Sequence, residues 1–229
     1  MRISQIRGEI NWKYAIGEFF LIVVGITVAL AANSWYEDQK DRHDELALLR
    51  QIQQTLDEDL QVLNDRWRTM QKVESDLTAL LDHLENGKPY SENLGPYFRS
   101  LARFRTVNLR AAPFESLKAR GLDLIRNESL RTKLISLYED DFPRLDNSST
   151  FNRVFAQETV LPYLMQNFRQ LDNRYWVPND YERIRSDPYL ANLCRNRLSS
   201  LRRFVFPYFN DTTITIGEIL VDIEKELNQ

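Results

Sequence analysis

The chain has 229 residues, and its 30 Lys and Arg stand against 33 Asp and Glu for a net charge of −3. That balance offers no basic surface of the kind nucleic acid demands. A single cysteine, Cys194, excludes an internal disulfide framework and a cysteine-built metal site, and seven glycines are too few for a sheet-and-turn protein.

Residues 1–13 form a short tail carrying Arg2, Arg7 and Lys13. Residues 14–35 read as a transmembrane helix. From Tyr14 to Ala32 there are about 19 residues, and at roughly 1.5 Å rise each they span nearly the 30 Å of a bilayer's hydrocarbon layer. Trp12 and Tyr14 at one end, and Trp35 and Tyr36 at the other, are spaced like the two aromatic belts at headgroup depth. Ala29-Leu30-Ala31 has the form of a signal-peptidase site, and cleavage there would leave a chain starting near Ala32. Three features favour a retained anchor: the segment before the apolar run is long for a signal, Glu18 abuts that run, and helical character continues past the site. Glu18 lies in the first turn, where a carboxylate meets the positive end of the helix dipole. Gly25, Ala29 and Ala32 recur at helical spacing and give a small-residue face on which a second helix can pack, with Glu18 near its rim. Flanking Lys and Arg are nearly balanced. The short tail is expected to leave the N-terminus inside and residues beyond 36 outside the cytoplasm.

Residues 36–86 predict one long helix. Leu49, Leu56, Leu63, Met70, Leu77 and Leu84 recur at heptad spacing, and Leu46, Gln53, Leu60, Trp67, Glu74 and Leu81 form a second track four positions away. No Gly or Pro intervenes between Trp35 and Asn86, and Asn86-Gly87 is a good stop. Such a stalk is roughly 75 Å long, and it serves either as a coiled coil or as the spine on which later helices pack.

The later segments, 87–229, read as a helical domain. A helix is expected from Pro96 to Arg110, then one opening at Pro113 and ending at Gly121, then one capped by Asn127. Asp141-Phe-Pro-Arg144 reads as a break, Ser148 or Ser149 as the cap of a continuation, and Pro162 as a bend. Residues 172–188 read as the longest loop. A helix from Asp187-Pro188 is expected to stop at Pro207, and Ile216–Leu227 forms the last. Thr212 to Ile216 has strand-forming residues but no partner strand. The class is all-α: one transmembrane helix, a long amphipathic helix and a bundle packed on it.

Tyr14-Ala-Ile-Gly-Glu18, Gly25-Ile26, Ala29-Leu30, Asn33 and Trp35-x-Glu37, running into a charged helix, resemble a family of bacterial single-pass membrane proteins of unknown function. Leu117-x-x-x-Gly121 and Ile125-x-Asn127-x-x-Leu130-Arg131 carry the same resemblance. It implies a retained anchor and a helical soluble region, and no activity. Ala31-Ala32 departs from the more polar anchor end of that family.

Motifs that carry chemistry are nearly lacking. His43 and His83 have no acidic residue three positions earlier, as di-iron bundles require, and they lie far apart on one helix. Glycine-rich phosphate loops and nucleophile elbows are missing from the sequence. Cys194 falls on an apolar helix face with Leu190, Leu193 and Leu198 and reads as core. The acidic runs 57–59 and 139–141 read as solvated faces. Arg195, Arg197, Arg202 and Arg203 form a basic cluster that could meet headgroups or an acidic partner, or pair with the chain's own carboxylates. Tyr175 and Trp176 are the best candidates for an aromatic contact patch. The expectation is a non-enzymatic interaction or scaffolding protein without cofactors, whose partners are the lipid bilayer and other membrane subunits or further copies of itself. The alternative is an extracytoplasmic ligand-sensing bundle that signals through a partner.

Overall fold

The computed structural model describes residues 12–172 and 175–228. Its first element, α1, is an uninterrupted helix from Trp12 to Glu85. It ends where the sequence places the stop. Gly87 adopts φ 60°, while the N–H of Lys88 reaches the carbonyl of His83 and that of Gly87 the carbonyl of Leu84. This is the double hydrogen bond of a Schellman motif, open at low strain only to a residue without Cβ.

By internal contacts the chain divides into two units, Met1–Ala47 and Leu48–Gln229. The boundary lies inside α1, so residues 48–85 belong with the bundle. In the first unit α1 presents large apolar side chains, among them Phe19, Phe20, Leu21, Ile26 and Leu30, as fully surface residues.

In the second unit a 3-10 turn, Glu92–Leu94, leads into α2 (Gly95–Leu101). That helix is shorter than the sequence suggested: residues 103–111 have no regular structure. Helix α3 (Ala112–Arg120) begins at Pro113 and closes on Gly121, φ 108°. Helix α4 (Glu128–Ser136) is capped by Asn127, whose side chain accepts the Leu130 N–H at 3.1 Å.

From α4 onward the prolines bend expectation more than they bend the chain. α4 runs through a π turn (Leu137–Asp141) into α5 (Phe142–Phe155), and α5 runs through a second (Ala156–Val160) into α6 (Leu161–Asn167). Later, α8 (Pro188–Ser200) runs through a third (Leu201–Val205) into α9 (Phe206–Leu227). Each π turn directly precedes a proline: Pro143, Pro162 or Pro207. In each, the residue before the proline donates its N–H five residues back, Phe142 to Leu137, Leu161 to Ala156 and Phe206 to Leu201. Proline has no N–H, and its ring clashes with the carbonyl four residues earlier. A widened turn at that point keeps the ladder bonded around it. The breaks expected at Asp141–Arg144 and Pro207 are therefore wide turns, Ser148 and Ser149 sit inside α5 instead of capping it, and Thr212–Ile216 is helical.

The expected loop at 172–188 is instead a hairpin and a short helix. β1 (Phe168–Asp172) pairs antiparallel with β2 (Tyr175–Pro178), Phe168 opposite Pro178 and Gln170 opposite Trp176. Helix α7 (Tyr181–Ser186) follows, capped by Asp180, and Asp187 then caps α8. The hairpin is a small antiparallel ornament on an all-α fold.

One core binds the second unit. Leu49, Ile52, Leu56 and Leu77 of α1 are buried with Phe98, Phe114, Leu134, Leu164, Leu198 and Ile219 from the helices around it. Trp67 of α1 meets Phe206 edge-on at 5.0 Å, and Phe114 stacks on Tyr138 at 4.4 Å.

Candidate functional site

The apolar part of α1 is the first candidate. Ile16 onward is long and apolar enough to cross a membrane, and none of its most apolar window is buried. Trp12, Trp35 and Tyr36 are exposed at its two ends; the side chain of Tyr14 lies outside the described residues, as does most of the 1–13 tail. Glu18, Gly25, Ala29 and Ala32 are all exposed. Beyond the helix's own backbone, a Cβ built on Gly25 meets no atom within 4 Å among the described residues, so that face is open.

The seam of α1 in the second unit comes next. Leu49, Leu56, Leu63, Met70, Leu77 and Leu84 are buried, whereas Leu60, Trp67 and Leu81 are half-buried flanks packed against the core. The buried second track lies three positions after the first: Ile52, Asp59, Arg66, Val73 and Leu80, with Arg66 half-buried. Sequence reading missed it because Leu60, Trp67 and Leu81 are apolar and large, whereas the true track carries two charges. Asp59 Oδ2 accepts the backbone N–H of Arg110 at 3.0 Å, and the Arg110 Nε stands 3.5 Å from Oδ1. Burial nonetheless raises the Asp59 carboxyl above its ordinary pKa, an effect Arg110 opposes.

The basic cluster separates into different environments. Arg195 pairs with Glu85 at 2.6 Å, and Arg202 pairs with Glu74 at 2.6 Å and reaches Thr78. These two arginines fasten α8 and the turn after it to α1, so the chain's own carboxylates take them up. Arg203 is exposed. Arg197, on the opposite face, is 1% exposed.

The aromatic patch is corrected. Trp176 is buried in the core at 9% exposure, because the hairpin turns its ring inward; Tyr175 has its backbone in β2, and its side chain lies outside the described residues. Cys194 is buried, and burial pushes its thiol up to about 12, which makes it unreactive near neutral pH. His83 contacts the carbonyl of Pro89 at 2.7 Å, and no group of metal-ligating side chains gathers among the described residues.

Two surface grooves are also present. One, about 330 Å³, is lined by Val107, Leu109, Tyr138, Phe142 and Asp146. The Tyr138 hydroxyl is buried without a hydrogen-bond partner, and burial followed by the Asp59 charge raises its pKa. The other, about 510 Å³, is polar, with Tyr163, Arg183, Asp187 and Tyr189 on its walls. There the Tyr163 hydroxyl donates to Asp187 at 3.1 Å and Arg183 donates to Asn167 at 3.1 Å.

Comparison with protein-family models, with curated proteins and with solved structures finds no match.

Proposed function

We propose that this is a membrane-anchored, non-enzymatic interaction protein, a scaffolding or accessory subunit of a membrane complex or a homo-oligomer. Its anchor sits in a bacterial inner membrane with residues beyond 36 outside the cytoplasm. The anchor motif and the Leu117–Arg131 patch make the resembling single-pass family its proposed home. The observation that carries the reading is the surface of α1 between Ile16 and Asn33, where large apolar side chains stand exposed in one continuous run with none of it buried, whereas in the second unit exposed apolar residues such as Phe151, Met165 and Ile214 are scattered singly. A helix satisfies its backbone internally and so tolerates hydrocarbon, whereas that much contiguous apolar surface in water marks a site for lipid or another protein. Gly25 and Ala29 on this segment suit close approach of a second helix.

The test is mass spectrometry on protein extracted from the membrane with mild detergent. The peptide containing Trp12 should be present and the protein should resist extraction by alkaline carbonate. A mature N-terminus at Ala32 would overturn the anchor reading. Chemical cross-linking in the membrane should then trap either a second copy or another membrane subunit. The ligand-sensing alternative draws its support from the grooves at Tyr138 and Tyr163, each large enough for a small molecule.

A further inference from the structure

Arg197 of α8 is the largest fully buried side chain of the bundle. One Nη donates to the Asn152 Oδ1 and the other to the carbonyl of Arg103 at 3.0 Å. Both acceptors are neutral. Its Nε has no partner, and no ion pair reaches this guanidinium among the described residues. Burial alone lowers its pKa, to about 10, with no carboxylate acting to restore it. It is a cation at neutral pH all the same. A charge buried without a counter-ion is expensive, and buried arginines are ordinarily matched with carboxylates.

The small cavity beside it sharpens the point. Arg66 and Arg105 join Arg197 on its wall, with Ser148, Ser149 and Asn152; the rest of the lining is apolar, and no Asp or Glu contributes. The Nε of Arg66 is also buried and unpartnered. Neither Arg66 nor Arg105 takes part in an ion pair among the described residues. Three like charges therefore converge on one space with hydroxyl and amide groups and nothing negative. A water molecule would satisfy one donor and leave the charge.

From this convergence we infer that the cavity is a binding site for a phosphate-type oxyanion, either free or at the head of an anionic lipid. A guanidinium presents its N–H groups in a planar fork that matches such an anion, and the two serines add hydroxyl donors. The enclosed space is about 10 Å³, room for roughly one water. Entry therefore requires Arg66, half-buried, and Arg105, exposed, to part and close over the ligand while Arg197 stays fixed as the floor. The inference is independent of the anchor reading, since every residue in it belongs to the second unit.

The experiment is a thermal-shift titration of the full chain in a zwitterionic detergent, with potassium phosphate against potassium chloride at matched ionic strength, and separately with short-chain phosphatidic acid. Ligand at ten times its Kd should raise Tm by roughly 3–6 °C. The double substitution Arg66→Gln with Arg105→Gln should keep the ligand-free Tm within about 2 °C, as expected of half-exposed side chains, and weaken binding at least tenfold. A saturable shift with inorganic phosphate identifies a free anion, and a shift with phosphatidic acid alone identifies a headgroup. A response to both that exceeds chloride also supports the site. No shift beyond that of chloride with either probe, or a shift that survives the double substitution, overturns it. Arg197 is a poor probe, because its loss would also free Asn152 and the carbonyl of Arg103.

Discussion

Leu80 and Leu81 are neighbours on α1 with the same side chain and opposite situations. Leu80 is 0% exposed, and Leu81 is a half-buried flank. Truncating each to alanine changes helix propensity equally, so the difference between the two variants isolates burial. At Leu80 the lost transfer energy adds to the cavity left in a packed core, together about 3–4 kcal/mol. At Leu81 less area is lost and solvent fills the gap, which gives about 1–1.5 kcal/mol. For a folded unit of this size the Leu80→Ala variant should melt roughly 6–16 °C below the parent, and Leu81→Ala within about 6 °C. Urea denaturation followed by circular dichroism reads both, with m unchanged if the unfolded state is shared. Equal losses, or a larger loss at Leu81, would mean that the buried track runs four positions from Leu77 and not three, and the seam described above would be wrong.

Leu56→Asp should cost several kcal/mol, since a carboxylate would be placed at a fully buried seam position, while Gln61→Asp on the exposed face should cost little; similar circular-dichroism melts for the two would refute a buried seam. Gly25→Leu should weaken assembly in cross-linking without changing the membrane-bound fraction, because close helix contact in lipid depends on small side chains. Hydrogen bonds from Lys133 and then Lys225 hold the Asp222 carboxyl below its ordinary value of 3.8. A depressed folded pKa stabilises above 3.8, and that contribution disappears as pH falls through the folded value. Asp222→Asn should therefore melt below the parent at pH 7, and the gap should close as the pH is lowered past 3.8.

What the sequence made legible follows from local chemistry. The stop of α1 at Gly87, the cap at Asn127 and the helix openings at Pro113 and at Asp187-Pro188 each rest on residues within one turn of the event. Features decided by distant partners were hidden. Thr212 to Ile216 favours strand by composition, but it continues α9 because Ile216 and Ile219 are needed in the core. The inward turn of Trp176 depends on pairing with β1. Among the arginines, sequence placed Arg197 with its neighbours; only the contact of α8 with α5 and the 103–111 segment separates it from Arg195 and Arg202. Pro143 and Pro207 read as breaks, because a π turn has no signature in a single sequence.

The two charges on the buried track of α1 are not equivalent, and the difference says what each is for. Asp59 and Arg66 occupy successive heptad positions where an apolar residue would serve packing better; exchanging a buried charge for a well-packed apolar group is often neutral or stabilising. Asp59 has a structural answer. It accepts the backbone N–H of Arg110 and faces that residue's guanidinium, while Arg197 donates to the carbonyl of Arg103 at the other end of the same irregular segment. Residues 103–111 lack a helix or strand to satisfy their backbone, and side chains from α1 and α8 do it instead, as buried peptide groups require. Arg66 performs no such service: its Nε has no hydrogen-bond partner among the described residues, and it borders a small cavity that Arg197 also lines. That charge, at the edge of a space bordered by three arginines and no carboxylate, is what the inferred anion would answer.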